Sequence, residues 1–471
     1  MSDTRQAPPR AVLAGVQLPG VDDDEFAASL DELAQLAKTL GLTVVGRVGQ
    51  KRSALAPGAV LGEGKLKELA AFTGGEGTIP RGPAQRRKGG RKVEDEAAAP
   101  ADEPAADEEN TEAAAMAPAD RSSSAGETAA ATATVVIVDH DLTPTQLRNL
   151  ERATGAEVLD RTAVILAIFQ RHAHTREARL QVEIARLAYM APRLRETGGG
   201  ADRQGGGIGA KGAGESAAQL ERRKVRDRIA ELRAELAAIE REAGTRRQRR
   251  AGHDTVALVG YTNAGKSSLM RGLTGNEVYV ADKLFATLDT TVRALHPESK
   301  PRILVSDTVG FLKKLPHDLV ASFRSTLEEA ADADLKLHVV DASNPAFPAQ
   351  IVVTREVLAE IGAADAPELL LLNKIDRLDE ARRAELAAAY PNAMLLSARS
   401  PEDVARLRER IIRFFERDMV DATLHVPYAQ QRLVADIHRT CRVLEETFGP
   451  DGTEIAVRTR PAVLARLRAA L

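Results

Sequence analysis

The segment GYTNAGKS at residues 260–267 constrains the fold of this chain more than any other stretch. It follows the apolar run TVALVG directly, and its glycines, lysine and serine have the spacing G-x-x-x-x-G-K-S. A strand that runs into such a loop and then into a helix surrounds a phosphate with backbone N–H groups. We expect Lys266 to bridge the β and γ oxygens of a nucleotide and Ser267 to bind Mg²⁺. The motif therefore predicts a doubly wound α/β domain.

Two further stretches fit the same site. Asp307-Thr308-Val309-Gly310 follows the apolar run RILVS, where a carboxylate can reach Mg²⁺ through water and the Gly310 N–H can sense a γ-phosphate. Between the two motifs, LFATLDTT at residues 284–291 offers Thr287 as a second hydroxyl ligand of Mg²⁺. Hydroxyls are common, so only the position of Thr287 between two strong motifs supports it. We predict that Lys266, Thr287 and Gly310 are the catalytic residues.

The stretch ELLLLNKID predicts the choice of base. Asp376 can accept hydrogen bonds from guanine N1–H and its 2-amino group, whereas adenine would leave the carboxylate partly unpaired at a cost of a few kcal/mol. This favours GTP over ATP, with the AMLLSAR segment as a backbone clamp on the base. The predicted nucleotide-binding residues are Gly260, Tyr261, Thr262, Asn263, Ala264, Gly265, Lys266, Ser267, Phe285, Ala286, Thr287, Leu288, Asp289, Asp307, Thr308, Val309, Gly310, Asn373, Lys374, Ile375, Asp376, Ser397, Ala398 and Arg399.

Length and composition set the remaining limits. A chain of 471 residues predicts about three domains. Its one cysteine, Cys441, and the lack of a charged-then-apolar leader predict a cytoplasmic protein. No apolar run approaches the roughly 20 residues that a membrane-spanning helix needs, so we expect no stable membrane association. No Cys/His cluster in the sequence has zinc-site spacing. We also expect the protein to be a monomer.

Hydrophobic spacing divides the chain into segments. A long helix is expected from about Thr162 to Pro192 and a second from about Glu215, together an antiparallel hairpin with a glycine-rich tip at residues 193–214. The predicted domains are an interrupted parallel α/β domain (1–72 and 134–160), a disordered low-complexity insertion (73–133), the basic helical hairpin (161–250), the GTP-binding domain (253–417) and a small α/β C-terminal domain (418–471), whose first helix should contain Cys441.

The charge distribution is uneven. Residues 161–250 carry 20 Lys/Arg and 11 Asp/Glu, a net charge of +9, whereas residues 73–133 carry 7 and 12, a net charge of −5. Such a local excess of cations is typical of a nucleic-acid contact, although charged runs are often only solvated faces and the tip could be a plain loop. RNA fits better than DNA because no major-groove reading motif is present. The tip cations expected to approach phosphates are Arg193, Arg195, Arg203 and Lys211.

Motifs along nearly the whole chain resemble the HflX family of GTPases. Besides GYTNAGKS, FATLDTT, DTVGF, NKID and SA, they include LGEGKLKEL, LTPTQLRNLE, LDRTAVILAIF, TREARLQVEIARLAYMAPRL and RQGGGIG. The resemblance implies a GTP-dependent protein that binds the large ribosomal subunit, separates ribosomal subunits, and carries its tip toward the peptidyl-transferase region. One departure is the stretch 210–218, AKGAGESAA, where the family usually continues with Arg-Gly-Pro-Gly-Glu.

The identities of two residues indicate how GTP hydrolysis is controlled. Phe311 stands where many GTPases have the glutamine that orients water, so turnover should be slow alone and rise when the ribosome completes the site. Asn263 either holds K⁺ beside the phosphates or only satisfies the loop's own backbone. The alternatives to a ribosome-coupled enzyme are an RNA-binding assembly scaffold with GTP as a structural ligand and, less favoured, a membrane-associated GTPase. We interpret Asp139-His140-Asp141 as a strand-to-helix turn rather than a catalytic cluster.

Overall fold

The computed structural model describes residues 8–79, 132–195, 217–250, 253–275, 284–285, 291–313 and 329–471. Most of the predicted insertion, most of the glycine-rich tip, and residues Ala286, Thr287, Leu288 and Asp289 therefore lie outside the described residues. The first sheet contains four strands in the order β2-β1-β3-β4, all parallel. Its elements are β1 (Arg10–Gln17), α1 (Asp23–Thr39), β2 (Thr43–Lys51), α2 (Glu63–Thr73), β3 (Val135–Val138), α3 (Pro144–Thr154) and β4 (Glu157–Asp160).

Local signals explain these elements. The apolar strands β1 and β3 are buried because core clusters cover both faces of the sheet, as is usual for parallel sheets. Asp22 caps α1 by accepting a hydrogen bond from the Glu25 N–H. Thr143 and Gln146 form a capping box at the start of α3, with Pro144 in its first turn.

The single long helix predicted from Thr162 to Pro192 is wrong, because the structure has two helices there. These are α4 (Arg161–His172) and α5 (Arg176–Met190). Ala173 has an extended backbone and Thr175 accepts a hydrogen bond from the Ala178 N–H, which starts the second helix. Both helices contribute apolar side chains to the core cluster of the first sheet, and α5 also packs against a second partner.

That partner is the long helix α6 (Ala217–Arg250). Leu180 and Ile184 of α5 form a small buried cluster with Leu232 of α6. Exposed ion pairs join Arg176 to Glu235 and Glu183 to Arg228. Because the earlier residue of α5 pairs with the later residue of α6, the two helices are antiparallel.

The second sheet has six strands in the order β10-β9-β8-β5-β7-β6, and only β6 is antiparallel to its neighbour. The chain passes from the central β5 to one side and then returns to place β8 on the other side, so a topological switch point lies at the carboxyl end of β5. Its elements are β5 (Asp254–Gly260), α7 (Lys266–Thr274), β6 (Thr291–Ala294), β7 (Ile303–Asp307), β8 (Leu335–Asp341), α8 (Phe347–Glu360), β9 (Glu368–Asn373), α9 (Glu380–Ala389), β10 (Met394–Leu395) and α10 (Pro401–Glu416).

A small antiparallel sheet ends the chain, with strand order β11-β13-β12. Its elements are β11 (Val420–Pro427), α11 (Gln431–Thr440), β12 (Arg442–Phe448), β13 (Gly452–Thr459) and α12 (Pro461–Ala470). Cys441 lies just past the end of α11 rather than inside it, because its extended backbone already leads into β12. Arg460 pairs with the buried Asp254 at the start of β5, which attaches this domain to the amino edge of the six-stranded sheet.

The predicted fold class is confirmed: a parallel α/β unit with a helical hairpin, a P-loop α/β domain and a small C-terminal α/β unit. Within the described part of the chain, we find no helix with the length and apolar character needed to span a bilayer.

Candidate nucleotide site

The loop 260–265 leaves no room for side chains at its two outer glycines. Gly260 has φ +142° and Gly265 has φ +102°, values that residues with a Cβ rarely adopt. A Cβ on Gly260 would lie 2.2 Å from the Val339 carbonyl oxygen, and one on Gly265 would lie 2.2 Å from Asn373 Nδ2. Glycine is therefore required at both ends of the loop, because a side chain there would clash with Val339 or Asn373.

Lys266 occupies the inside of this loop. Its side chain is buried, and Nζ donates hydrogen bonds of 2.9 Å to the carbonyl oxygens of Gly260 and Tyr261. Burial lowers the pKa of Lys266 to about 8, and the nearby charge of Asp307 opposes that shift. The ammonium is thus placed in the loop by neutral carbonyls, which are weaker partners for it than phosphate oxygens.

Ser267 and Asp307 bring two oxygen ligands together. Ser267 Oγ, in the first turn of α7, donates a 2.8 Å hydrogen bond to Asp307 Oδ2 at the end of β7. Hydroxyl and carboxylate oxygens are the donors that Mg²⁺ prefers, so this pair fits the predicted metal site. Thr287, the other predicted ligand, lies outside the described residues.

Gly310 lies against the loop and the lysine. A Cβ on Gly310 would approach Thr262 Cγ2 to 2.8 Å and Lys266 Nζ to 3.0 Å. The next residue, Phe311, donates its N–H to the Gly260 carbonyl at 3.1 Å, and its carbonyl accepts the Thr262 N–H at 2.8 Å. The segment after Asp307 is therefore hydrogen-bonded to the phosphate-binding loop through its backbone.

The side chain of Phe311 points into the protein interior. It is 2 % exposed and belongs to a core cluster with Val259 and Leu358. A buried phenyl ring can neither donate nor accept a hydrogen bond, so it cannot orient a water molecule at the phosphates.

The base end of the site is built around Asn373 and Asp376. Asn373 Nδ2 donates to the Ala264 carbonyl at 2.8 Å, and its Oδ1 accepts the Ala398 N–H at 2.9 Å, which braces two loops. Asp376 Oδ1 accepts a 2.7 Å hydrogen bond from Ser397 Oγ, and this bond is the main reason that the pKa of Asp376 is lowered. Asp376 therefore stays ionised at neutral pH and can accept hydrogen bonds from N–H groups.

Two supporting carboxylates were missed in the sequence. Asp341 accepts a 2.7 Å hydrogen bond from Lys374 Nζ, and Asp403 accepts the Ser397 N–H at 2.8 Å. Asp341 ends the apolar strand β8, and an acidic residue at the carboxyl end of a strand beside the motif strands is the signal that could have identified it.

Some predicted residues have other partners. The side chains of Tyr261 and Phe285 lie in the core cluster of the first sheet, where Phe285 makes an edge contact with Phe169 at 4.6 Å between ring centroids. Arg193, expected among the tip cations, instead pairs with the buried Asp160 at 2.8 Å and stacks on Tyr189. This correction follows from tertiary packing, since an unpaired buried Asp160 would be costly.

The stretch Asp139-His140-Asp141 has structural partners. Asp139 accepts a hydrogen bond from Arg161 at 2.7 Å, and Asp141 accepts one from the Thr162 hydroxyl at 2.6 Å. His140 Nε2 lies 2.8 Å from the Val16 carbonyl oxygen.

Comparisons with known proteins give consistent matches. The family described as "50S ribosome-binding GTPase" matches residues 255–374, "GTP-binding GTPase N-terminal" matches residues 27–78 and 107–170, and "GTP-binding GTPase Middle Region" matches residues 172–250. A protein named GTPase HflX from Gluconacetobacter diazotrophicus is 55% identical over 475 residues, which cover 100% of this chain and 99% of the relative. GTPase HflX from Caldanaerobacter subterraneus subsp. tengcongensis is 36% identical over 461 residues, 98% of this chain and 93% of that protein.

Among solved structures, a GTP-binding protein from the archaeon Sulfolobus solfataricus in complex with GDP aligns with 86% of this chain and 98% of its own. Its TM-score is 0.42 and its identity is 21%.

Proposed function

Because the chain belongs to the HflX family of GTPases, we propose that it binds the large ribosomal subunit through rRNA and uses its GTP cycle to separate or rescue ribosomes. The observation that carries the proposal is the match of residues 255–374 to the 50S ribosome-binding GTPase family, directly after a basic helical hairpin. We also propose that it acts in the cytoplasm as a monomer.

The chain is a GTP hydrolase, and its residues divide the work of the reaction. Lys266 binds and neutralises phosphate oxygens, and Gly310 offers its N–H to the γ-phosphate as charge develops there. Asp376 selects guanine, while Asn373 holds the base loop against the phosphate loop. Ser267 and Asp307, with Thr287, would hold Mg²⁺, which supplies positive charge to the β and γ oxygens when bound.

The surface of α6 supports an RNA contact. Its apolar seam faces α5, while Arg223, Lys224, Arg226 and Arg233 are exposed. Such a cationic face fits a phosphate backbone, whose binding strength falls as salt rises. Replacing Lys224, Arg226 and Arg233 together by glutamate should abolish cosedimentation with large subunits while GTP affinity stays unchanged. Undiminished cosedimentation would argue against this face as the contact.

The buried side chain of Phe311 supports slow turnover of the protein alone. Since a buried phenyl ring cannot orient water, we expect large subunits to complete the site and raise the rate. GTP turnover with and without large subunits tests this, and equal rates would contradict it. Binding to subunits without any stimulation would favour the assembly scaffold instead.

The direct test of ribosome separation uses sedimentation. Intact ribosomes incubated with the protein and a non-hydrolysable GTP analogue should convert to free subunits, whereas the protein with GDP should leave them intact. Ribosomes that remain intact under both conditions would rule out separation as the function.

A role for K⁺ rests on Asn263. This residue lies in the phosphate-binding loop with φ 58°, in the left-handed region that asparagine tolerates. If its side chain holds K⁺ beside the phosphates, turnover should be faster in potassium than in sodium buffer, and Asn263→Ala should abolish the difference. Equal turnover in the two buffers would remove the idea.

A further inference from the structure

The side chain of Tyr261 connects the phosphate-binding loop to the N-terminal sheet. Its hydroxyl donates a hydrogen bond to the Glu32 carboxylate of α1 and accepts the Lys313 N–H at 2.6 Å. The second oxygen of Glu32 accepts a hydrogen bond from Arg161 at the start of α4, and the same guanidinium donates to the Lys313 carbonyl at 3.1 Å. We call Glu32, Arg161, Tyr261 and the Lys313 backbone the interdomain joint.

The joint is mostly buried and is anchored on the N-terminal side. Arg161 is 2 % exposed and Tyr261 is 6 % exposed. Arg161 also donates a 2.7 Å hydrogen bond to Asp139, and Asp139 accepts another from Ser29 at 2.6 Å. Two nitrogens of the guanidinium are held by the carboxylates of Asp139 and Glu32 and by the Lys313 carbonyl, so the position of the Arg161 side chain is well defined.

The joint continues to the γ-phosphate sensor. Lys313 lies three residues after Gly310, and its N–H and carbonyl are held by the side chains of Tyr261 and Arg161, respectively. Between them, Phe311 is hydrogen-bonded to the loop backbone through both its N–H and its carbonyl. The segment 311–313 is thus held by the phosphate-binding loop on one side and by the N-terminal domain on the other.

We propose that Glu32 and Arg161 are positioning residues for GTP hydrolysis, which act through Tyr261 and the Lys313 backbone to hold Gly310 in place. A backbone N–H stabilises developing charge efficiently only when it is already oriented. Loosening the segment therefore slows the chemical step. GTP affinity depends mainly on Lys266, the loop amides and Asp376, so it should change little.

Two nearly isosteric variants and their combination test the proposal. Glu32→Gln weakens the carboxylate bridge and Tyr261→Phe removes the hydroxyl, and each should lower the single-turnover rate of GTP hydrolysis about tenfold. The dissociation constant of GTP should stay within about twofold. Because both side chains act on the same segment, the double variant should be no slower than the slower single variant.

Three outcomes would overturn the proposal: an unchanged rate, a loss of GTP affinity as large as the loss of rate, or a double variant whose losses multiply. Thermal unfolding of each variant shows whether it is folded at the assay temperature. Glu25→Gln is the matched control, because within the described ranges the Glu25 carboxylate pairs with the half-exposed ammonium of Lys313 and not with the joint. A comparable loss of rate in that variant would also overturn the proposal. The assay uses the protein without ribosomes, so its result is independent of the proposed ribosomal role.

Discussion

Two buried lysines lie at opposite edges of the six-stranded sheet. Lys266 follows the carboxyl end of β5, and Lys336 lies near the amino end of β8. Both side chains are buried, and each donates hydrogen bonds to two backbone carbonyls, those of Gly260 and Tyr261 for Lys266 and those of Ala363 and Ala364 for Lys336. Burial lowers the pKa of both lysines.

Their surroundings differ. Lys266 begins a helix, inside a loop whose outer glycines admit no side chain, and Ser267 and Asp307 meet beside it. Lys336 contacts the loop that follows α8, and its neighbours His338, Arg355 and Glu368 are already paired with one another. A buried cation is therefore not by itself a sign of function. Oriented N–H groups and oxygen ligands around the cation make the difference.

The largest expected effect comes from Lys266→Met. The variant loses charge-assisted contacts to two phosphates, so GTP affinity should fall about 100-fold or more, which corresponds to about 3 kcal/mol. Equilibrium binding of GTP measures the loss, and thermal unfolding without nucleotide should show no loss of stability, since methionine removes a buried charge. Unchanged GTP affinity would contradict the conclusion that Lys266, unlike Lys336, binds the nucleotide.

The next effect concerns Asp376, the carboxylate proposed to recognise guanine. Asp376→Asn should weaken GTP binding by a few kcal/mol, because the amide cannot accept both guanine N–H groups. Xanthosine triphosphate should bind better than GTP, since the new amide N–H can donate to the xanthine C2 carbonyl. Competition between the two nucleotides measures this change of preference. A retained preference for GTP would mean that Asp376 does not contact the base.

A carboxylate at the amino edge should act on stability instead. Partial burial alone would raise the pKa of Glu368, but hydrogen bonds from His338 and Arg355 lower it to about 2. A lowered folded-state pKa stabilises the protein above the ordinary glutamate pKa, and this contribution is lost as pH falls from about 4.5 to about 2. Glu368→Gln should therefore cost about 1–2 kcal/mol at neutral pH and flatten acid unfolding in that window. GTP affinity should not change, and a parallel loss of binding would contradict the comparison.

The smallest effect is expected from Lys336→Met. Lost hydrogen bonds to Ala363 and Ala364 are offset by the removal of a buried charge, so the unfolding free energy should change by less than about 1 kcal/mol. Because the folded-state pKa of Lys336 is lowered, stability should rise with pH toward the ordinary lysine pKa in the unmodified protein, and the variant should lose part of that rise. The GTP affinity of this variant should equal that of the unmodified protein. A loss of affinity as large as that of Lys266→Met would contradict the conclusion that only Lys266 binds the nucleotide.

The nucleotide motifs could be placed from sequence because each follows an apolar strand. Parallel strands end at one edge, so GYTNAGKS, DTVG and NKID had to meet there, and Lys266, Ser267 and Asp307 do meet. The direction in which each side chain of a motif points could not be predicted from the sequence. Tyr261 and Phe285 belong to the nucleotide stretches but pack against the N-terminal domain, which no local pattern indicates.

The helix break at residues 173–175 shows the same limit. The apolar spacing on both sides suits one continuous helix. In the structure the chain turns at Ala173, both helices contribute to the core of the first sheet, and α5 alone also packs against α6. Likewise, the sequence did not indicate that Asp341 and Asp403 support the NKID and SAR segments. Their hydrogen bonds with Lys374 and Ser397 in the structure show this.

Short-range patterns were thus sufficient for the fold class, the phosphate-binding loop and the preference for guanine, because each depends on residues within one strand, turn and helix. Contacts between distant parts of the chain depended on tertiary structure. Glu32 meets Tyr261 across 229 positions, and Phe311 turns its ring into the core rather than toward the phosphates. The physical reason is that such contacts form only when separate layers pack, and packing depends on the shape and charge of both partners at once.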